Sequence, residues 1–239
     1  MKIKLTFINI FIFYLTCCSQ IEGMATYEIL RSNDYENRYD NNSNKEKNIA
    51  FDKKIDEFIN NQTFYLRFKN GKSHFSKKNK LLSDKESSSF YNILEALYPD
   101  TYYDFKTQKN YIVDNYINKD GFLVVLKDRN RDIKFFSEDF DEVKQGIFCS
   151  KAIITHKKNN KVYHTEIWYA KEINLPYGPL SFNGFPGLVV LVKENTGTLI
   201  MLKKIHFENQ NQIEIPKLKE IKEDELEAMY DKAMKKVRN

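Results

Sequence analysis

From Gln62 onward, short apolar and aromatic runs alternate with turn residues, and the runs pair off as hairpins. Thr63–Lys69 (TFYLRFK) and Lys72–Ser76 flank Asn70-Gly71, a dipeptide suited to a tight two-residue turn. Tyr111–Ile117 and Phe122–Lys127 flank Asn118-Lys119-Asp120-Gly121. Cys149–Thr155 and Val162–Ala170 flank a turn centred on Asn159-Asn160. That turn sets Ile154 opposite Thr165 and Ala152 opposite Ile167 on one face, with Cys149 opposite Ala170 and Lys151 opposite Trp168 on the other. The first of these faces is the more apolar and is expected to meet the core. Leu188–Val192 and Thr198–Ile205 flank Glu194–Gly197 and are apolar on both faces, which predicts a centrally buried pair.

Before these hairpins, Met24–Leu30 predicts a first strand and Ser32–Lys47 a long mobile loop. Helical spacing is confined to three stretches: Phe51–Asn60, Ser89–Tyr98 (ended by Pro99), and a tail from about residue 217 that Pro216 is placed to open. Lys77–Ser89 reads as another polar loop. The pattern predicts one mainly-β domain: a single antiparallel curved sheet or half-barrel, bowl-like, with short peripheral helices and a C-terminal helix.

One stretch departs from this rhythm. Tyr177–Val192 (YGPLSFNGFPGLVVLV) places three of the chain's eight glycines and two of its five prolines in its first eleven residues. Asn183-Gly184 and Pro186-Gly187 are successive turn signals, the first for positive φ at both residues and the second for a type II turn. A phosphate-binding loop is a poor reading, because Pro186 lacks an N–H and a buried strand follows instead of a helix. The stretch reads as a corner that aims Leu188–Val192 into the core.

Composition changes the picture at the N-terminus. Lys2 and Lys4 precede an apolar segment, Leu5–Thr16, of signal-peptide length and too short to span a membrane. Residues 1–19 are therefore expected to be a leader, with the folded domain over 24–239. Two processing routes compete: cleavage after Ser19, or acylation of Cys18 within Leu15-Thr16-Cys17-Cys18. The expected location is outside the cytoplasm: periplasmic, outer-membrane-associated or secreted. Membrane contact is expected only through a lipid on Cys18. Net charge is +5 over the chain and the basic pairs are dispersed, so nucleic acid is not an expected partner. Beyond the leader only Cys149 remains, too few cysteines for an internal disulfide.

Candidate chemistry is sparse. His74, His156, His164 and His206 stand in no metal-ligand spacing and read as surface histidines on strands. Cys149 needs a base brought in by folding, and Glu166 reads most simply as a cross-strand partner of Lys151. The acidic groups Glu138-Asp139, Asp141-Glu142 and Glu223–Glu225 read as exposed loop and helix start. Lys77-Lys78 and the other lysine pairs read as solvated surface. Aromatic side chains crowd the corner, and Trp168, Tyr177, Phe182 and Phe185 are the best candidates to line a groove. No catalytic, cofactor or metal residue is assigned.

Gly184-Phe185-Pro186-Gly187-Leu188-Val189 resembles the signature of the GLPGLI family of Bacteroidetes envelope proteins, departing at Phe185 and Val189. Cys149–Ala152, Ile167-Trp168-Tyr169, the approach from Glu172 to Phe182, and Asn70–Ser73 are similar to the family's other marks. The resemblance covers about residues 24–205. It implies an exported protein of uncharacterised activity, and a β domain similar to the bowl-like one preceding the catalytic part of some bacterial peptide N-glycosidases. The leading expectation is a non-catalytic binding or assembly module for a protein, peptide or glycan partner. The alternative is a hydrolase or accessory domain acting on envelope or host glycans and peptides.

Overall fold

The computed structural model describes residues 21–31, 44–77, 85–127, 133–136, 142–158 and 161–238. Cys17, Cys18 and most of the Ser32–Lys47 stretch lie outside these residues. So do the Asn159-Asn160 turn and the Glu138–Asp141 acids.

The first strand, β1 (Gly23–Arg31), alternates buried and half-exposed positions along its length. It pairs on one side with β2 (Phe64–Lys69) and on the other with β12 (Thr198–His206), so the first and last hairpins of the main sheet meet on it. Away from β2 run β3 (Lys72–Lys77), β4 (Thr101–Asp104), β5 (Lys109–Asp114) and β6 (Phe122–Val125). Away from β12 run β11 (Leu188–Glu194), β10 (Lys161–Ala170) and β9 (Ile147–Lys158). Two short strands, β7 (Ile133–Phe135) and β8 (Glu142–Lys144), both pair with β9. Among the described residues this makes one large sheet that does not close into a barrel.

The sheet is mixed rather than wholly antiparallel. Its last strand, β13 (Lys219–Lys222), runs parallel to β6 and sets Ile221 beside Val124. This strand lies where the sequence predicts the start of the tail helix. The helix (α3, Glu223–Arg238) begins beyond it, and Pro216 does not open it. Ile221 fits helical spacing, but pairing with β6 buries it against Phe122, Val124 and Leu226 in a small second core. Three acidic residues occupy the first turn of α3, where the helix dipole favours them.

The remaining predicted hairpins form, with sharper ends. Asn70 and Gly71 both take positive φ (51° and 76°), the geometry that matches a tight turn to strand twist. The β9–β10 register matches the expectation: Thr165 faces Ile154, Ile167 faces Ala152 and Trp168 faces Lys151. On β9, however, Cys149 pairs with Glu142 of the unforeseen strand β8. β11 is buried on both faces over Leu188–Val192 except at Leu191, with Lys193 and Glu194 reaching solvent, whereas β12 alternates, since Met201 and Leu199 stay half-exposed.

Two helices flank this frame. α1 (Lys45–Asn60) begins six residues before the predicted start and buries Ile49, Ile55 and Ile59. Its Asp56 lies 3.1 Å from Arg31 at the end of β1, both side chains largely out of solvent. α2 (Lys85–Leu97) takes up the end of the expected loop and stops before Pro99, which disfavours helical backbone at the residue before it. Phe58 and Phe51 of α1 both pack on Phe90 of α2.

Candidate functional site

The corner between β10 and β11 folds around one buried amide. Asn183 Oδ1 accepts from the Gly178 N–H at 2.9 Å, and its Nδ2 donates to Leu180 O at 2.9 Å and Asn110 Oδ1 at 2.8 Å. Gly184 N donates to Pro176 O and Val189 N to Tyr177 O, so the loop is laced to itself and to β11. The turn chemistry differs from the expectation. Gly184 has positive φ (86°), but Asn183 does not. Gly187 N bonds to Phe185 O at 2.8 Å, a three-residue turn about Pro186 instead of a type II turn. Glycine is required at 187 for space: a Cβ there would lie 2.1 Å from Ala170 O. Gly178 is equally tight, 2.1 Å from Phe182 O. This is a packed joint with no room for a ligand at Gly178 or Gly187.

The aromatic candidates belong to this joint. Trp168, Tyr177, Phe182 and Phe185 are 4%, 5%, 5% and 1% exposed, so they are core side chains rather than the lining of an open groove, with Phe182 alone reaching a cavity edge. Tyr177 stacks on Phe68 and meets Tyr103 edge-on, and burial pushes its phenol up to about 12, helped by Tyr103 and Asp104. Phe185 packs on Tyr169 and Phe135. Trp168 lies beneath the ammonium groups of Lys144 and Lys151, 5.1 and 4.9 Å from its ring. Phe182 alone borders cavities, one of about 430 Å³ beside Tyr98 and another of about 120 Å³ beside Tyr163.

The reactive candidates are dispersed. Cys149 is buried, and its thiol points to Ile147 O at 3.4 Å. Glu166 is 3.1 Å from Lys151, its diagonal neighbour across the hairpin, as the sequence predicts. His164 meets Thr155 at 3.0 Å, and His156 stacks on Tyr163 on the opposite face. Among the described residues no group of three or more His, Cys, Asp or Glu is placed to hold a metal ion.

Polar side chains converge elsewhere, in a cleft of about 920 Å³ over β3–β5 between α2 and α3. His74 and Lys77 of β3, expected at the surface, are both buried here. His74 stacks on Tyr102, ring centroids 4.2 Å apart. Arg67 has no acceptor, so its contact with His74 Nδ1 at 2.8 Å fixes the imidazole proton on Nε2. That nitrogen lies 3.3 Å from Asp100 Oδ2, near enough for attraction but off the line of a good hydrogen bond. Lys77 Nζ sits 3.1 Å from Asp100 and 3.6 Å from Glu95. Burial works to raise the Asp100 carboxyl, but His74 and Lys77 outweigh it and hold it below the usual aspartate range.

Across the cleft, Tyr230 of α3 donates to Asp114 Oδ2 at 2.5 Å, and the Ile117 N–H reaches the other carboxylate oxygen at 3.3 Å. Burial, then the Asp114 carboxylate, push the Tyr230 phenol far above its ordinary value. Tyr102 is raised by burial and by Asp100. One part of this cleft had a local signal: Lys77 is two residues from Phe75, so in a regular strand it shares the core-facing side. Asp100, Asp114 and Tyr230 carried none, being 14 and 116 residues apart in sequence.

No protein-family model matches this chain, and no curated protein does. Among solved structures, PNGF-II in two space groups, P21 and C2, is similar: each superposes with a TM-score of 0.52 at 13% identity over 87% of this chain. The chain spans about a third of that protein's length, 33% and 32% of the two structures. The likeness is one of fold: a mainly-β chain on one large mixed sheet with a C-terminal helix.

Proposed function

We propose that this chain is a non-catalytic module of an exported envelope protein of the GLPGLI type, and that it binds a protein, peptide or glycan partner through the cleft between α2 and α3. We further propose that the sheet is curved. In support, the corner before β11 touches Phe68 on β2, Tyr103 on β4 and Asn110 on β5, strands well along the sheet from its own.

The observation that carries the binding reading is the cleft itself, about 920 Å³ lined by side chains of β3, β4, β5, α2 and α3, and the direction in which its groups are shifted agrees with it. Proton-transfer catalysis is most efficient with groups that titrate near the working pH. Here Asp100 is held below its ordinary range, while Tyr102 and Tyr230 are held above theirs. Each of these groups keeps one state through neutral pH, which suits fixed recognition rather than acid–base turnover. Cys149, Glu166, His74 and His164 are engaged in separate places; His156 and His164 border one small cavity of about 120 Å³ whose lining includes neither Cys149 nor Glu166.

One finding favours the second reading, an accessory or hydrolytic part acting on glycans or peptides: the fold recurs as about a third of the longer PNGF-II chain. Incubating the purified protein with glycopeptide and peptide libraries separates the two. The binding module leaves every library member intact, and any product overturns it in favour of the hydrolase.

A further inference from the structure

The cleft between α2 and α3 has a one-sided chemistry. Among the described residues its charged lining is Glu95, Asp100 and Asp114 against Lys77 alone. Lys77 is already held between Glu95 and Asp100, with its side chain only 4% exposed, so it has little left to offer a ligand. Arg67 stands behind the wall, committed to His74, and reduces the negative excess without reversing it. Asn92 and Asn115 add amide groups, and Tyr102, Tyr116 and Tyr230 add aromatic surface, Tyr116 being 66% exposed. A volume of about 920 Å³ is within the range of small-molecule and side-chain pockets.

Among the described residues, an anionic ligand would meet three carboxylates and no available cation. A neutral polyol could donate hydrogen bonds, but would leave the excess charge uncompensated inside a half-enclosed site. A guanidinium or ammonium group supplies donors, neutralises the excess and gains from aromatic faces. The chain as a whole is basic, so this negative cleft is a local feature that whole-molecule charge does not explain.

We propose that the cleft binds a basic peptide segment, taking a lysine or arginine side chain between the Glu95–Asp100 wall and Asp114, with Tyr102, Tyr116 and Tyr230 as its aromatic lining. The proposal rests on the binding-module reading and names the chemistry of its partner. Hydrolysis of a library would overturn that reading alone, whereas the titrations below test the ligand class alone.

The test is calorimetric titration of the purified protein with an arginine-containing tetrapeptide, its glutamine and glutamate counterparts, and a neutral oligosaccharide. The arginine peptide is expected to bind at least about tenfold more tightly than the glutamine peptide, and more weakly as salt is raised. Glu95→Gln, at a half-exposed position, should leave the melting temperature near that of the parent and weaken the arginine peptide several-fold. Tyr116→Ala should weaken it as well. Equal binding of the arginine and glutamine peptides overturns the proposal, as does the absence of binding. Tighter binding of the oligosaccharide does so too, and assigns the cleft to glycans. An unchanged affinity in both variants would place the peptide elsewhere and equally overturn it.

Discussion

At the corner between β10 and β11, one side chain closes a loop whose polar atoms are mostly backbone. At the cleft, the backbone is regular and the polar atoms belong to side chains from β3, β5, α2, α3 and the turn before β4. Asn183 bonds to Gly178, five residues away, and to Leu180, three away. Tyr230 and Asp114 are 116 residues apart. The corner is therefore a largely local solution, tied outward through Asn110 and closely packed at Gly178 and Gly187, while the cleft is a non-local one that leaves about 920 Å³ open. Glycine-rich sequence is often taken as the sign of a binding loop. Here it marks close backbone approach, and the open space lies where the sequence is ordinary.

The sharpest break of this contrast is Gly187→Val. With a Cβ 2.1 Å from Ala170 O, the substitution should cost roughly 4 kcal/mol or more, read by urea unfolding. A loss under about 1 kcal/mol would show that Ala170 can give way and that the corner is not a tight joint. Asn183→Ala comes next. It leaves the buried Gly178 N–H without its acceptor and should cost about 2–3 kcal/mol, with no change in affinity for the arginine peptide at the cleft. A loss of affinity with stability intact would make the corner part of the site.

Tyr230→Phe should cost about 1.5 kcal/mol by removing the hydrogen bond to a carboxylate. Hydrogen exchange should speed up along α3 and β13 before it does in β11, because the small second core is distinct from the main one. Uniform acceleration would show that the two cores unfold as one.

The smallest effect is acid dependence. Asp100 has its folded pKa depressed, so its pairing stabilises the protein above the ordinary aspartate value of 3.8 and is lost as pH falls through the lower folded value. Since the side chain is 42% exposed, the loss should be modest. Asp100→Asn should flatten the slope of melting temperature against pH below 3.8, and an unchanged slope would remove Asp100 from the account.

Legibility followed the range of the forces. Alternation and turn residues give the β9–β10 register from Lys151–Trp168 to Ile154–Thr165, because a one-position slip would exchange the faces of Ala152 and Lys151. The Lys151–Glu166 pair came with it. The buried histidine and lysine of β3 did not, since polar residues read as surface until partners are known: Arg67 and Tyr102 for His74, Asp100 for Lys77. Trp168, Tyr177, Phe182 and Phe185 point to a groove in the sequence because aromatic crowding looks the same in a core and at a binding face. The short strands β4, β7, β8 and β13 lacked a pattern long enough to detect.

Residue order alone determined that this chain builds hairpins, where most of them turn, and that Leu188–Val190 and Val192 are buried, because alternation and positive-φ turns act over a few residues. Tertiary structure decided the rest. It turned Ile221 from helix to strand through β6, made Gly187 obligatory through Ala170, and gathered Lys77, Glu95, Asp100, Asp114 and Tyr230 around one cleft. Those outcomes depend on desolvation and charge pairing between segments that meet only after the sheet has formed.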